Sequence, residues 1–169
     1  MIIRVQDIQQ DGLTVDDTTA VGAPFADPTW RLETLNLRLE RDGQDVLVHG
    51  EVRAAVPQVC SRCLEPFPAR VRAGVDVRVV PRPATADTVE LASDDLEVDF
   101  YHRDELDLDA LIETETTLAL PMKPLCRDDC AGLCPVCGGN RNAVACACRA
   151  PAADPRLAVL KDLAARRSH

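Results

Sequence analysis

The chain has 169 residues, of which 46% are hydrophobic, and a formal net charge of −9. This length is typical of one domain with a small appendage, and the apolar content excludes an intrinsically disordered chain. We find neither the pattern of a signal peptide nor a run of about 18 apolar residues, so we expect no membrane span and a cytoplasmic protein. Thiols stay reduced in the cytoplasm, so we do not expect structural disulfides.

Apolar and polar residues alternate in three stretches, 35–40, 45–56 and 69–80, and each is typical of a half-buried strand. The sequence RDG at 41–43 predicts a turn between the first two strands, and Pro57 predicts the end of the second. Shorter strands are expected at IIRV and GLTV near the start of the chain. Together these patterns predict an antiparallel sheet.

An acidic block follows the strands. Residues 86–116 hold twelve acidic residues and one basic residue, for a net charge of −11. Such a block is either a solvated surface or a face that meets a basic partner. After a connection over residues 81–95, LEVDFY predicts a strand. The next segment predicts a helix capped by Asp107 and stopped by Pro121, although alternation from 112 to 120 leaves a strand open there.

Eight cysteines form four close pairs, which is the pattern of thiolate metal sites. Structural zinc is tetrahedral and usually takes two ligands from each of two chain segments. Pro135 and Gly138 suit a tight knuckle around one of the Cys-x2-Cys pairs. We predict one or two structural Zn2+ ions, with a dithiol redox pair or an iron–sulfur cluster as alternatives. The predicted ligands are Cys60, Cys63, Cys126, Cys130, Cys134, Cys137, Cys146 and Cys148.

Two groupings of the pairs are possible. In the preferred grouping, the two cysteine pairs that are nearest in sequence share one ion. The two remaining pairs share a second ion, which would connect a sheet-end loop to the chain after the helix. The two sites of this grouping are Cys134, Cys137, Cys146 and Cys148, and Cys60, Cys63, Cys126 and Cys130. In the rival grouping one ion takes Cys126, Cys130, Cys134 and Cys137. His49, His102 and His169 are near no cysteine pair, so a catalytic zinc is not expected.

These elements predict an α+β protein: a mainly antiparallel β-sheet domain with a helix, then a Cys-rich zinc-binding segment and a short C-terminal helix. The expected boundaries are 1–120 for the β-rich domain, with one cysteine pair in a sheet-end loop, 121–150 for the zinc-binding segment and 151–169 for the helix. Asp154 and Pro155 suit the start of that helix.

Four segments resemble the YceD-like family, named for large ribosomal RNA subunit accumulation. They are VHGEVRAAVPQVCSRCLEPF, DELDLDALIETETTLALPMKPLCRDDCAGLCPVCGGNRN, CAC and DPRLAVLKDL, within 45–68 and 104–163. The chain departs from the family at Arg141, where relatives usually have Leu between two asparagines. The resemblance implies a bacterial or plastid protein that is needed for accumulation of 23S rRNA and acts near ribosome assembly. It implies no defined reaction.

The charge distinguishes among roles in that process. An acidic chain with five aromatic residues lacks the basic surface and stacking platforms of a general RNA binder. We therefore expect a non-enzymatic, zinc-stapled adaptor that holds large-subunit assembly components, chiefly a basic ribosomal protein, with no membrane or small-molecule substrate. Direct contact with the 23S rRNA precursor is the alternative, and a thiol redox or metal enzyme is less favoured. The RNA contact would use the end helix together with Arg62, Arg70, Arg72 and Arg78.

Overall fold

The computed structural model describes residues 1–82 and 98–149. That part of the chain contains seven strands and two α-helices, with a 3-10 turn at Val5–Asp7. The strands are β1 Ile2–Arg4, β2 Leu13–Val15, β3 Arg31–Asp42, β4 Asp45–Val59, β5 Pro66–Pro81, β6 Val98–Tyr101 and β7 Glu105–Asp107, and the helices are α1 Thr18–Val21 and α2 Leu108–Leu118. The predicted C-terminal helix at 151–169 and most of the predicted connection at 81–95 lie outside the described residues.

The main sheet has five strands in the order β2-β3-β4-β5-β6, and β1 pairs with β7 in a separate ribbon. Every pair is antiparallel except β5 with β6, which run parallel with Arg78 opposite Val98. The prediction of a mainly antiparallel sheet with a helix is therefore confirmed. The strand predicted from LEVDFY is also present, as the parallel edge strand β6.

One predicted turn and one predicted strand end differ from those in the structure. Asp42 pairs with Asp45, so the β3–β4 turn is Gly43 and Gln44 rather than the RDG sequence. The expectation that Pro57 ends β4 is wrong, because the strand continues to Val59. The pairing of β3 with β4 stops at Ala55, so beyond that point β4 needs hydrogen bonds on one side only, and a proline is tolerated there.

The hydrophobic core lies between the apolar face of the sheet and α2. The alternating side chains that the sequence predicts to be buried, such as Leu37, Val48 and Val79, are fully buried. The helix is confirmed over the alternative strand, and the Asp107 side chain caps it by accepting hydrogen bonds from two backbone N–H groups. Its buried stripe is Leu108, Leu111, Ile112 and Thr116. The helical spacing also predicts Leu118 on this stripe, but Leu118 is the last residue of the helix and is 74% exposed.

The other face of the sheet is polar, and its arginines are paired. Arg53 Nε donates to Glu51 Oε1 at 2.6 Å, and Arg72 Nε donates to Glu51 Oε2 at 2.5 Å. These hydrogen bonds lower the pKa of Glu51. Arg78 Nε donates to Asp45 at 2.9 Å. The predicted basic face is therefore largely neutralised by its own carboxylates.

Candidate metal centres

The β4–β5 connection is a six-residue thiol knuckle, from Cys60 to Glu65. The Cys60 N–H donates to the Glu65 carbonyl at 3.0 Å, and the Leu64 N–H donates to the Cys60 carbonyl at 2.9 Å. Leu64 has a φ of 60°, in the left-handed region that glycine normally occupies. The two long strands pair up to Val59 and Pro66, so they fix both ends of the knuckle.

The first thiol group joins this knuckle to the chain that follows α2. The Sγ atoms of Cys60 and Cys130 lie 3.8 Å apart, and those of Cys63 and Cys126 lie 3.7 Å apart. All four sulfurs lie within 4.8 Å of one another. A tetrahedral zinc with Zn–S bonds of about 2.3 Å separates its sulfurs by about 3.8 Å, whereas a disulfide needs about 2.05 Å. The group thus has the spacing of a four-thiolate metal site.

Hydrogen bonds hold the later segment against the knuckle. Ser61 N–H donates to the Pro124 carbonyl at 2.8 Å, and Leu133 N–H donates to the Arg62 carbonyl at 3.1 Å. The Arg62 guanidinium also donates to the Cys130 carbonyl at 3.1 Å. Cys60, Cys63 and Cys130 are buried and Cys126 is half-buried. The group is therefore built into the junction between the sheet and the segment after α2.

The second thiol group lies entirely in that later segment. Cys134, Cys137, Cys146 and Cys148 place their sulfurs within 4.8 Å of one another. Its knuckle has the hydrogen bonds of the first: Cys134 N–H donates to the Gly139 carbonyl at 2.8 Å, and Gly138 N–H donates to the Cys134 carbonyl at 2.9 Å. Gly138, at a φ of 71°, takes the place that Leu64 has in the first knuckle. Cys134 is buried and the other three cysteines are exposed.

Asn142 connects the two groups. Its Nδ2 donates to Cys130 Sγ at 3.3 Å and to Asn140 Oδ1 at 2.9 Å. Its Oδ1 accepts from the Ala131 N–H at 2.8 Å and from Arg127 Nη2 at 2.6 Å. Asn142 belongs to the loop between Cys137 and Cys146, which the second group closes. A loop of one group thus supports a thiol of the other.

Arg141, the departure from the family pattern, has an exposed side chain. Its contribution is the backbone N–H, which donates to the Gly132 carbonyl at 2.9 Å. Any residue except proline supplies that N–H, so arginine in place of leucine does not disturb the turn.

Four thiols held this close cannot all ionise independently, and their pKa values separate. Burial raises the pKa of Cys60, but nearby backbone N–H groups outweigh it and lower the pKa to about 6. Burial and neighbouring thiols raise the pKa of Cys126 to about 12. Backbone N–H groups, led by that of Cys137, lower the pKa of Cys134 to about 6, while contact with the Cys137 thiol raises that of Cys148 to about 12. Each group therefore contains a thiol with a lowered pKa and a thiol with a raised pKa, and a cation that binds all four sulfurs must displace the proton of the latter.

The structure forms the preferred grouping of the eight cysteines and not the rival one, since Cys126 and Cys130 lie with the β4–β5 knuckle. The two histidines in the described residues lie elsewhere. His49 Nδ1 is 2.9 Å from Asp76 Oδ1 on the open sheet face, and His102 Nε2 is 2.6 Å from Arg82. His169 lies outside the described residues.

A mainly antiparallel sheet with one packed helix and two four-thiol groups positioned to bind metal ions defines a small α+β protein built around cysteine clusters. The chain belongs to the YceD family, described as large ribosomal RNA subunit accumulation protein YceD, whose profile matches residues 48–164. Among residues 1–82 and 98–149, no helix has the length and apolarity to cross a bilayer.

Relatives of the chain include proteins of two mycobacteria. A protein of Mycobacterium tuberculosis is 39% identical over 105 residues, which are 62% of this chain and 49% of that protein. A protein of Mycobacterium leprae is 33% identical over 127 residues, which are 74% of this chain and 57% of that protein. Both are named only as uncharacterized proteins, and the matched part of the chain spans about half the length of each. No solved structure matches the chain.

Proposed function

We propose that each thiol group holds one structural zinc ion and that the chain is a non-enzymatic, cytoplasmic ribosome biogenesis factor that supports accumulation of 23S rRNA. The sulfur separations of 3.7 and 3.8 Å in the first group carry the zinc assignment. They equal the edge of a tetrahedron around one ion with Zn–S bonds of about 2.3 Å. An iron–sulfur cluster places several atoms between its ligands and needs its sulfurs farther apart.

The arrangement supports a structural rather than a catalytic metal. Four thiolates fill a tetrahedral shell and leave no position for water or substrate. Among residues 119–149 the buried hydrophobic side chains are those of Cys130 and Cys134, so this segment has almost no apolar core of its own. Metal binding supplies the missing folding free energy in such segments, about 10–16 kcal/mol for structural zinc in small peptides. The proposed role of the first zinc is to fasten this segment to the end of the sheet.

The charge supports an adaptor for a basic ribosomal protein. The described part of the acidic block, residues 98–116, contains seven acidic residues and one basic residue, for a net charge of −6. Some of these carboxylates act locally: Asp107 caps α2, and Glu113 accepts the Ala26 N–H at 3.0 Å. Asp99 and Glu105 are exposed and make no ion pair with the described residues. Exposed acids of this kind attract a basic partner.

RNA contact through the sheet face has weaker support. Arg72 and Arg78 are paired with Glu51 and Asp45, so a phosphate would have to displace a carboxylate already in place. Arg70 Nε is 3.9 Å from Glu33 Oε1, so Arg70 has the weakest ion pair of the three arginines. The proposal therefore assigns the principal contact to protein rather than to this face.

Tagged protein tests the proposed function. The chain is crosslinked in cells, and particles are separated on a gradient before bound protein and rRNA are identified together. We expect co-migration with precursors of the large subunit and a crosslink to a basic ribosomal protein. A chain that migrates only as free protein, or only with membranes or small-subunit particles, contradicts the proposal. The tag alone, expressed at the same level, is the control.

A further inference from the structure

A polar cleft lies at the end of the sheet away from the thiol groups. Its volume is about 410 Å³, and it is formed by the β3–β4 turn, the end of β5 and the turn after β6. β4 begins at Asp45 beside this cleft and ends at Val59 beside the first knuckle. A strand of 15 residues is about 50 Å long at about 3.3 Å per residue, so the cleft and the metal groups are separate sites. The charged and aromatic residues that line the cleft are Arg41, Arg82, Tyr101, His102, Arg103 and Asp104.

The arginines of this cleft are not neutralised as those of the sheet face are. Among residues 1–82 and 98–149, no carboxylate oxygen lies within 4.0 Å of the guanidinium groups of Arg41, Arg82 and Arg103. Arg41 Nε donates to the Gly43 carbonyl at 2.9 Å, and Arg82 Nη1 contacts His102 Nε2 at 2.6 Å. The remaining guanidinium N–H groups keep their capacity for an anion. With one aspartate in the lining, the cleft has a net charge of +2 in a chain of net charge −9.

The backbone that presents Arg103 is strained. Arg103 and Asp104 both have positive φ, 50° and 66°, in a two-residue turn closed by the pairing of His102 with Glu105. Turns of this type normally use Asn or Gly at these positions, because other side chains crowd the backbone. Arg103 places its charge at the cleft although its backbone conformation is strained. Strained backbone of this kind is typical of functional positions.

We propose that this cleft binds phosphate groups of an RNA strand. The guanidinium groups provide forked N–H donors that match phosphate oxygens in pairs, which is how arginine recognises phosphate. Three such groups around one concave site suit an anion with several acceptor oxygens. The choice of RNA as the source of the phosphate rests on the proposed function. The inference that the cleft binds an anion rests only on its arginines and its shape.

Fluorescence anisotropy with a labelled single-stranded RNA of 12 nucleotides tests the proposal on the full chain loaded with zinc. Arg103→Asn is the principal variant, because asparagine suits the left-handed turn and removes only the guanidinium. The double variant R41Q/R82Q removes the other two charges. The matched control is R70Q/R72Q on the sheet face, which removes two arginines of the same chain that lie near carboxylates.

We expect Arg103→Asn to weaken RNA binding about tenfold and R41Q/R82Q to weaken it further, with the control close to the wild type. The slope of log K against log salt should fall by about 0.7 for each phosphate of a single strand that the variant no longer neutralises. Equal affinities in the wild type and the cleft variants overturn the proposal, as does an equal loss of affinity in the control. Circular dichroism and zinc content of each variant show whether the fold is intact.

Competitors distinguish the sources of the anion. Longer RNA should displace the probe more effectively than short RNA, and inorganic phosphate only at far higher concentration. If inorganic phosphate displaces the probe as well as RNA does per phosphate, the cleft is a small-anion site and the assignment to RNA is overturned. Displacement by a poly-glutamate peptide at a lower concentration than RNA overturns it in favour of an acidic protein. None of these results alters the gradient test, so failure of the cleft and failure of the proposed function are separable.

Discussion

Asn142 donates a side-chain hydrogen bond to the Sγ atom of Cys130 at 3.3 Å, although the two residues belong to different thiol groups. The amide is held by further bonds to Ala131 and Arg127, so its orientation is fixed. Hydrogen bonds of this kind stabilise a thiolate and orient it toward its metal. The two groups are thereby joined into one unit, in which the loop of the second shapes the first.

We expect Asn142→Ala to weaken metal binding in the first group about 10- to 100-fold, the usual effect of removing a side chain that orients a ligand. Competition with a chromophoric zinc chelator measures this affinity. Arg141→Ala is the control, because the exposed side chain is removed while the backbone N–H to Gly132 remains. If Asn142→Ala and Arg141→Ala release zinc at the same chelator concentration, the amide has no such role.

Replacement of Cys134 and Cys137 by Ser should unfold the Cys-rich segment while the sheet persists. The segment has few buried apolar side chains, whereas the long strands pack a core of their own. Hydrogen exchange should show reduced protection over residues 121–149 and unchanged protection in β3, β4 and β5. Val136→Ser, at an exposed position in the same knuckle, is the control. Protection retained throughout the double variant contradicts a structural role for the metal.

Cys60→Ser tests the link between the sheet and the later segment. Cys60 is fully buried and its sulfur lies 3.8 Å from that of Cys130, so the substitution removes one of the proposed zinc ligands that join the two parts. We expect hydrogen exchange to rise over residues 121–130, far from Cys60 in sequence. Unchanged protection there means that the knuckle and this segment do not depend on a common ion.

Leu64→Asn should stabilise the zinc-loaded protein by about 1 kcal/mol, because asparagine tolerates the left-handed region that costs other residues about 1–2 kcal/mol. Leu64 has a φ of 60° and is 61% exposed, so the substitution removes little packing. Thermal melting at a fixed zinc concentration measures the effect. Val59→Asn, exposed but in an extended strand, should give no gain. A lower melting temperature for Leu64→Asn means that the leucine contributes more through packing than it costs in strain.

Reversal of Asp94, Asp95, Glu97 and Asp99 to Lys should slow association with a basic assembly partner and reduce its salt dependence, since steering by exposed charges is screened over roughly 8–10 Å at physiological salt. Of these residues, Asp99 lies in the described part of the chain, where it is exposed. Association rates with large-subunit precursors at two salt concentrations measure the effect. Asp11→Lys and Asp16→Lys, exposed acids outside the block, are the control. Equal rates for both sets mean that the block is only a solvated surface.

The strands and the four close cysteine pairs could be predicted from sequence because each depends on local spacing, whereas the joining of pairs into groups could be predicted only as the preferred of two arrangements. Alternation identifies the buried face of β3, β4 and β5, and paired cysteines indicate tetrahedral thiolate sites. The end of β4 was predicted wrongly at Pro57, since whether a proline is tolerated depends on how far the neighbouring strand extends. The parallel pairing of β6 likewise depends on how distant segments meet.

The part of the site that sequence reasoning missed is the set of side chains around the thiols. Asn140 and Asn142 follow the second knuckle directly, in CGGNRN. Their position next to the cysteines was the signal in the sequence that could have indicated a role at the thiol groups. An asparagine in a loop has no periodicity and usually indicates only a turn. Its role here depends on the approach of Cys130, which is a property of the folded chain.

Metal analysis of protein purified without added metal tests the central claim most directly. Mass spectrometry of the native protein, with elemental analysis of the same sample, counts the ions in each chain. The account predicts two zinc ions per chain and no iron. Reduced, folded protein with no metal contradicts it, and so does protein that contains iron and absorbs visible light.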